Sequence, residues 1–172
     1  MCKAVMQDDP TVLENEDIQR LKLSVAEILA DHADRSDRIY REMAARLARD
    51  QGIDRFEGML RYFDLNASVP KDIKDAVFLA QQIRHVWAHH AGRADTDLLK
   101  RASHLGFQLD ETVAISVEDT GKYLVGIFMY GVIIANRWRE KNGFDLLTLE
   151  DLPTTAPLRE AFGSVYPAPP AS

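Results

Sequence analysis

Between Pro70 and Gly92 the chain reads PKDIKDAVFLAQQIRHVWAHHAG, with no proline or glycine in its interior. Such a stretch has few outcomes other than one long helix. Proline suits the first turn, where its missing N–H has no intrahelical acceptor to lose, and glycine suits the residue just past the last turn, so the segment carries its own start and stop. A helix of about six turns is predicted. With Ile73 as origin and roughly 100° per residue, Ala76, Val77, Leu79, Ala80, Ile83, Val86 and Trp87 gather on one broad apolar arc, while Lys74, Gln81, Gln82, His85 and His89 oppose it. The expectation is a helix packed on one side only, with Trp87 in the core.

The last turns of this helix do not suit a purely structural part. Arg84 projects near the edge of the apolar arc, where an arginine needs either a partner or a purpose. Arg84 and His89 are separated by roughly 140° on an ideal helix and do not meet easily, whereas His85 and His89, at i and i+4, do. A joint arginine–histidine site therefore requires a distorted helix end or a second copy of the helix. His89 falls where the negative end of the helix dipole attracts cations, and imidazole as a side-chain type exchanges protons near neutrality. The bland alternative is an arginine satisfied by a carboxylate and a surface histidine with no role. His90 projects into the apolar arc, which suggests a hydrogen-bonded histidine of the core or of a dimer interface. His85 and His89 also have the spacing of a zinc pair, but Val86 stands where a zincin helix requires its glutamate base. No metal ligand and no cofactor is assigned from the sequence.

The string Arg84-His85-Val86-Trp87-Ala88-His89 resembles the signature of the HEPN superfamily: an arginine, four to six residues, then a histidine, often with a polar residue directly after the arginine. The continuation through His90, Gly92, Arg93 and Asp95 resembles the extended form found in HEPN-like proteins of unknown role. The motif covers residues 84–95, and the order of helices extends the likeness loosely over 14–140. The resemblance implies an all-α antiparallel helical bundle forming a two-fold dimer, and a metal-independent endoribonuclease in which Arg84 and His89 of both protomers converge on a scissile phosphate of RNA. In that scheme His89 handles the proton of the attacking 2′-hydroxyl or of the leaving oxygen, Arg84 holds the phosphate, and His85 and Arg93 bind the substrate. Toxin or defence roles, with an antitoxin or regulatory partner, also belong to the family. One toxin branch carries, two residues after the histidine, a tyrosine that receives a nucleotidyl group; this chain has Ala91 there. Other members keep the fold without catalysis and bind RNA or protein.

Composition bounds the rest. At 172 residues with 46% hydrophobic side chains the chain can fill one good core and is short for two full domains. A net charge of −6 argues against a protein that coats nucleic acid, which draws its binding from many lysine and arginine contacts to phosphate. A local site remains compatible, with Arg84, Arg93, Lys100 and Arg101 as a modest basic cluster. The single cysteine, Cys2, excludes an intrachain disulfide and suits a reducing cytoplasm. The opening residues lack the apolar run of a signal peptide, and the apolar run Tyr123–Ala135 is well short of the roughly twenty residues a bilayer span needs. Neither a glycine-rich phosphate loop nor a recognisable serine or cysteine nucleophile is present.

Along the chain, residues 1–10 read as a flexible tail, 11–145 as a HEPN-like helical domain and 146–172 as a partly disordered extension with a short helix after Pro157. Residues 14–49 suggest two helices, or one interrupted near Asp34–Asp37, presenting Ile18, Leu21, Val25, Ile28, Leu29, Ile39, Met43 and Leu47 at helical spacing. A short helix over 54–66 carries Phe56, Met59, Leu60 and Phe63, and another over 95–104 is capped by Asp95 or Thr96. Thr112–Val117 is β-branched and reads as a short extended piece. The last long helix, over about 120–141, is apolar on nearly every face and is expected to be buried all round, with Gly126, Gly131 and Ala135 admitting a neighbouring helix. Two competing functions stand beside the nuclease: a non-catalytic helical dimer that binds protein or RNA, and a metal-binding bundle using His85 and His89.

Overall fold

A computed structural model describes residues 10–25, 29, 31–152 and 155–166. The expected tail at 1–9, Ile28 and the final PAPPAS segment lie outside them. Among the described residues the chain is all-helical, without strands, and no helix is long and apolar enough to cross a membrane. The chain divides into two compact units, 1–67 and 68–172.

The first unit contains a 3-10 turn at Pro10–Glu14 followed by α1 (Glu16–Gln19), α2 (His32–Arg46) and α3 (Gly52–Arg61). The Asn15 side chain accepts from the Asp17 amide at 2.9 Å, and Asp31 accepts from the Asp34 amide at 3.0 Å, each satisfying an N–H that has no acceptor within its helix. The expected break near Asp34–Asp37 is not there. Asp31 starts a helix that runs straight through those residues, and the irregular stretch lies upstream, at residues 22–24. Val25 and Leu29 are correspondingly exposed, because they no longer share a helical face with the buried Ile18, Leu21, Ile39, Met43 and Leu47. In α3 and the turn after it Leu60 and Phe63 are buried as expected, whereas Phe56 is exposed.

The second unit contains α4 (Lys71–His89), α5 (Thr96–Arg101), a 3-10 turn at Ser103–Leu105, α6 (Val117–Lys141) and α7 (Ala156–Val165). Its principal packing is α4 against α6, with α7 laid on α6 and Phe162 buried. A Cβ built on Gly126 would stand 2.5 Å from the Ala76 Cβ, so the absent side chain is what lets α4 and α6 approach. Gly131 has open space around it, and the same expectation fails there. Nor is α6 buried on every face: Val117, Leu124, Ile127 and Trp138 are exposed. Ser116 caps α6 by accepting from the Asp119 amide at 2.9 Å, so the helix takes in Val117. The expected extended piece at 112–117 is reduced to an isolated antiparallel bridge between Arg93 and Thr112. Beyond α6 the buried Asn136 holds the chain in place, its Oδ1 accepting from the Leu147 amide at 2.7 Å.

The side along which α4 is buried changes along its length. Ile73 and Val77 are buried in the first half, while Gln82, Ile83 and Val86 are buried in the second. On an ideal helix Val86 lies about 140° round from Ile73. The first half meets α6 at the Ala76–Gly126 approach. The second half packs on a separate cluster formed by Ile83, Val86, Ala94, Leu98, Ala102 and Val113. One-sided packing is therefore corrected to two neighbours on two sides. That change buries Gln82, which the projection had facing solvent, and leaves Trp87 55% exposed instead of in the core.

Candidate functional site

The C-terminal turn of α4 and the elbow after it carry the chemistry-bearing residues. Within the second half of α4 the inward direction runs through Gln82 and Val86, so Arg84 points outward and is exposed, as are His85 and His89. The arginine that looked misplaced on a one-sided projection is a solvent-facing cation, and among the described residues it forms no ion pair. The expected i, i+4 neighbours meet: the His85 and His89 rings lie 4.9 Å apart, centroid to centroid. Arg84 and His89 both belong to regular helix, so the divergence inferred from their spacing holds within one chain.

The elbow departs from helical periodicity at His90. Its φ of −125° and ψ of 23° end the helix, while its N–H still donates to the Val86 carbonyl at 2.8 Å. Ala91 and Gly92 follow with φ of 51° and 74°, and the Gly92 N–H donates to the same Val86 carbonyl at 3.2 Å. This left-handed reversal gives the Val86 carbonyl a second donor and turns the chain out of the helix. The outgoing chain is then fixed by backbone bonds from Val113 N–H to Gly92 C=O (2.8 Å), Ala94 N–H to Glu111 C=O (2.8 Å) and Asp110 N–H to Ala94 C=O (2.9 Å). Arg93 donates from Nη1 to the Asp110 carbonyl at 3.0 Å, which ties its guanidinium to the same loop.

Leaving the helix at His90 brings it back toward His85. Their ring centroids are 5.5 Å apart, although five helical residues would have separated them by roughly 140°. The His90 side chain is 42% exposed and its Nε2 lies 3.1 Å from Asp95 Oδ2. The reading of His90 as a core histidine is thus corrected, because a residue outside the helix does not obey the helix's projection. Asp95, rather than Thr96, caps α5: its Oδ1 accepts from the Leu98 amide at 2.7 Å. One carboxylate oxygen is engaged by the helix start and the other faces His90. The partnership of His90 with Asp95 was missed from sequence, yet a signal for it exists. Gly92 as a helix stop and Asp95 as a helix start leave His90 and Asp95 at the two mouths of one short turn.

The expected basic cluster is diluted. Arg101 pairs with Asp97 at 3.6 Å, Arg93 is engaged by the Asp110 carbonyl, and Lys100 is exposed. A concavity of about 900 Å³ lies between α4, α6 and α7, with Ile73, Ala76, Leu79, Tyr123 and Met129 among its walls. It contains none of the motif residues at 84–95. Burial, and next the nearby Asp119 charge, hold the Tyr123 phenol above its ordinary range. No family model, curated protein or solved structure matches the chain.

Proposed function

We propose that the protein is a metal-independent endoribonuclease of the HEPN type, acting as a two-fold dimer with Arg84 and His89 as its catalytic pair. The observation that carries this reading is the exposure of Arg84, His85 and His89 on the last turns of α4, where the sequence resembles the HEPN motif. An exposed guanidinium suits a phosphate, since its planar fork matches two phosphate oxygens at once. An exposed imidazole brought to it from a second chain suits a proton transfer. Here the RNA's own 2′-hydroxyl attacks the adjacent phosphorus and the P–O5′ bond breaks. His89 of one protomer or its partner takes or gives the proton, Arg84 holds the developing charge, and His85 and Arg93 hold the flanking phosphates. Toxin or defence duty, restrained by an antitoxin or regulatory protein, fits such an activity.

The dimer follows from the divergence of Arg84 and His89 on one helix, and the exposed Leu124 and Ile127 on α6 supply apolar surface for a second copy. Sedimentation at micromolar concentration is expected to give a dimer, and a monomer that cleaves at full rate would refute the two-chain site. The chemical test is cleavage of a single-stranded RNA in excess chelator. The expected product carries a 2′,3′-cyclic phosphate, and a 2′-deoxy substitution at the cleaved position abolishes the cut. Equal cutting of the deoxy substrate, or dependence on an added metal, overturns the mechanism. Saturable RNA binding without turnover would instead select a non-catalytic RNA-binding dimer.

A further inference from the structure

We infer that His85, His90 and Asp95 form a zinc-binding site that clasps the end of α4 to the start of α5. One ligand atom from each of the three lies within 4.8 Å of the others. In tetrahedral zinc, with bonds of about 2.0–2.1 Å, ligand atoms stand about 3.3 Å apart. Both imidazoles are exposed, and His90 Nε2 already stands 3.1 Å from Asp95 Oδ2, so the remaining adjustment falls on the exposed His85 ring. The third ligand is already aimed: Asp95 Oδ1 is held by the Leu98 amide at 2.7 Å, and Oδ2 faces His90 Nε2 at 3.1 Å. A carboxylate fixed through its second oxygen is the kind of outer support that metal sites use to orient their ligands. Two imidazoles and one carboxylate are a borderline donor set that suits zinc better than the all-oxygen preference of magnesium or calcium.

The position of His90 is what creates the site. In a helix continued past His89 its ring would turn away from His85; the break in the helix at His90 brings them together. Three protein ligands leave the fourth position to water, and the metal joins residues on either side of the left-handed elbow at Ala91 and Gly92. This set differs from the His85–His89 pair that sequence spacing suggests, and it includes neither Arg84 nor His89. It shares His85 with the phosphate contacts proposed for the nuclease but neither catalytic residue, so His89→Ala, His90→Ala and Asp95→Asn, rather than a His85 variant, separate the two sites.

The test is titration of the full-length protein with zinc alone, by calorimetry and by competition with a chromogenic chelator, alongside cobalt(II) as a spectroscopic substitute. One zinc per chain is expected, with micromolar or tighter affinity and visible cobalt bands of four- or five-coordinate intensity. Asp95→Asn is the decisive variant. Asparagine keeps the capping oxygen for Leu98 but removes the anionic ligand, so the helical signal stays while zinc affinity falls at least tenfold. His90→Ala produces a similar loss, and His89→Ala leaves zinc affinity unchanged. Absence of saturable binding, or undiminished affinity in Asp95→Asn and His90→Ala, overturns the site. Loss on His89→Ala with retention in His90→Ala would assign zinc to the His85–His89 pair instead. Cleavage of RNA in chelator by His90→Ala and Asp95→Asn reports on the nuclease independently of zinc.

Discussion

Arg84→Ala and His89→Ala are each expected to lower RNA cleavage about 10²-fold or more while leaving the helical circular dichroism signal unchanged. The size follows from the roles assigned: loss of a general acid or base costs about 10²–10⁴-fold, and loss of a group that stabilises transition-state charge costs about 10²–10³-fold. The preserved fold follows from the structure, since both side chains are exposed and neither fills the Ile83–Val86–Val113 cluster. Because Arg84 and His89 diverge within one chain, an arginine of one protomer can work with a histidine of the other, and mixing the two inactive variants is expected to restore part of the activity in heterodimers. Full cleavage by both variants, measured on the same RNA in chelator, would assign the activity elsewhere. His90→Ala makes a useful contrast. Its ring is exposed and its polar contact with Asp95 is partly solvated, where even charged pairs contribute about 0–1 kcal/mol, so little change in stability accompanies it.

Met129→Ala is expected to destabilise the 68–172 unit by about 2–5 kcal/mol, the range for truncating a buried methionine to alanine. Met129 is fully buried and stands three residues beyond Gly126 on α6, where α4 approaches most closely. The neighbouring backbones cannot move in to fill the gap, because the Ala76–Gly126 contact already sets their separation. Chemical denaturation followed by helical signal measures the change. A midpoint shift corresponding to less than about 0.5 kcal/mol, the scale of a neutral surface substitution, would mean that the α4–α6 seam does not hold this unit together.

The helical class, the limits of α4 and the cap at Asp95 were legible because they depend on neighbours within a few residues: a missing N–H, an absent Cβ, a side-chain oxygen within reach of the next turn. What failed depended on partners distant in sequence. A single hydrophobic projection assumes one neighbour, and α4 has two, so Trp87 was assigned to the core and Gln82 to the surface. The same assumption buried α6 on every side, although Leu124 and Ile127 face outward. The outward positions of His85 and His89 and their contact were readable from i, i+4 spacing. The approach of His90 to Asp95 was not, because it arises from two left-handed residues that reverse the chain, and periodicity carries no information past a helix end.

Those two left-handed residues also govern how this stretch can vary. At Ala91 the backbone admits glycine, asparagine or aspartate readily and charges other L-residues about 1–2 kcal/mol, so exchange there is graded. At Gly92 two constraints coincide, since any Cβ would also sit 3.2 Å from the Trp87 ring, which would have to shift by a few tenths of an ångström; substitution there costs more than at Ala91. Position 91 is also where the nucleotidylated tyrosine of the toxin branch would fall. In this chain a tyrosine at that position would have to adopt a left-handed conformation or re-form the end of α4. Re-forming it would carry His90 away from His85. The geometry that gathers the imidazoles thus disfavours a tyrosine at this position by about 1–2 kcal/mol.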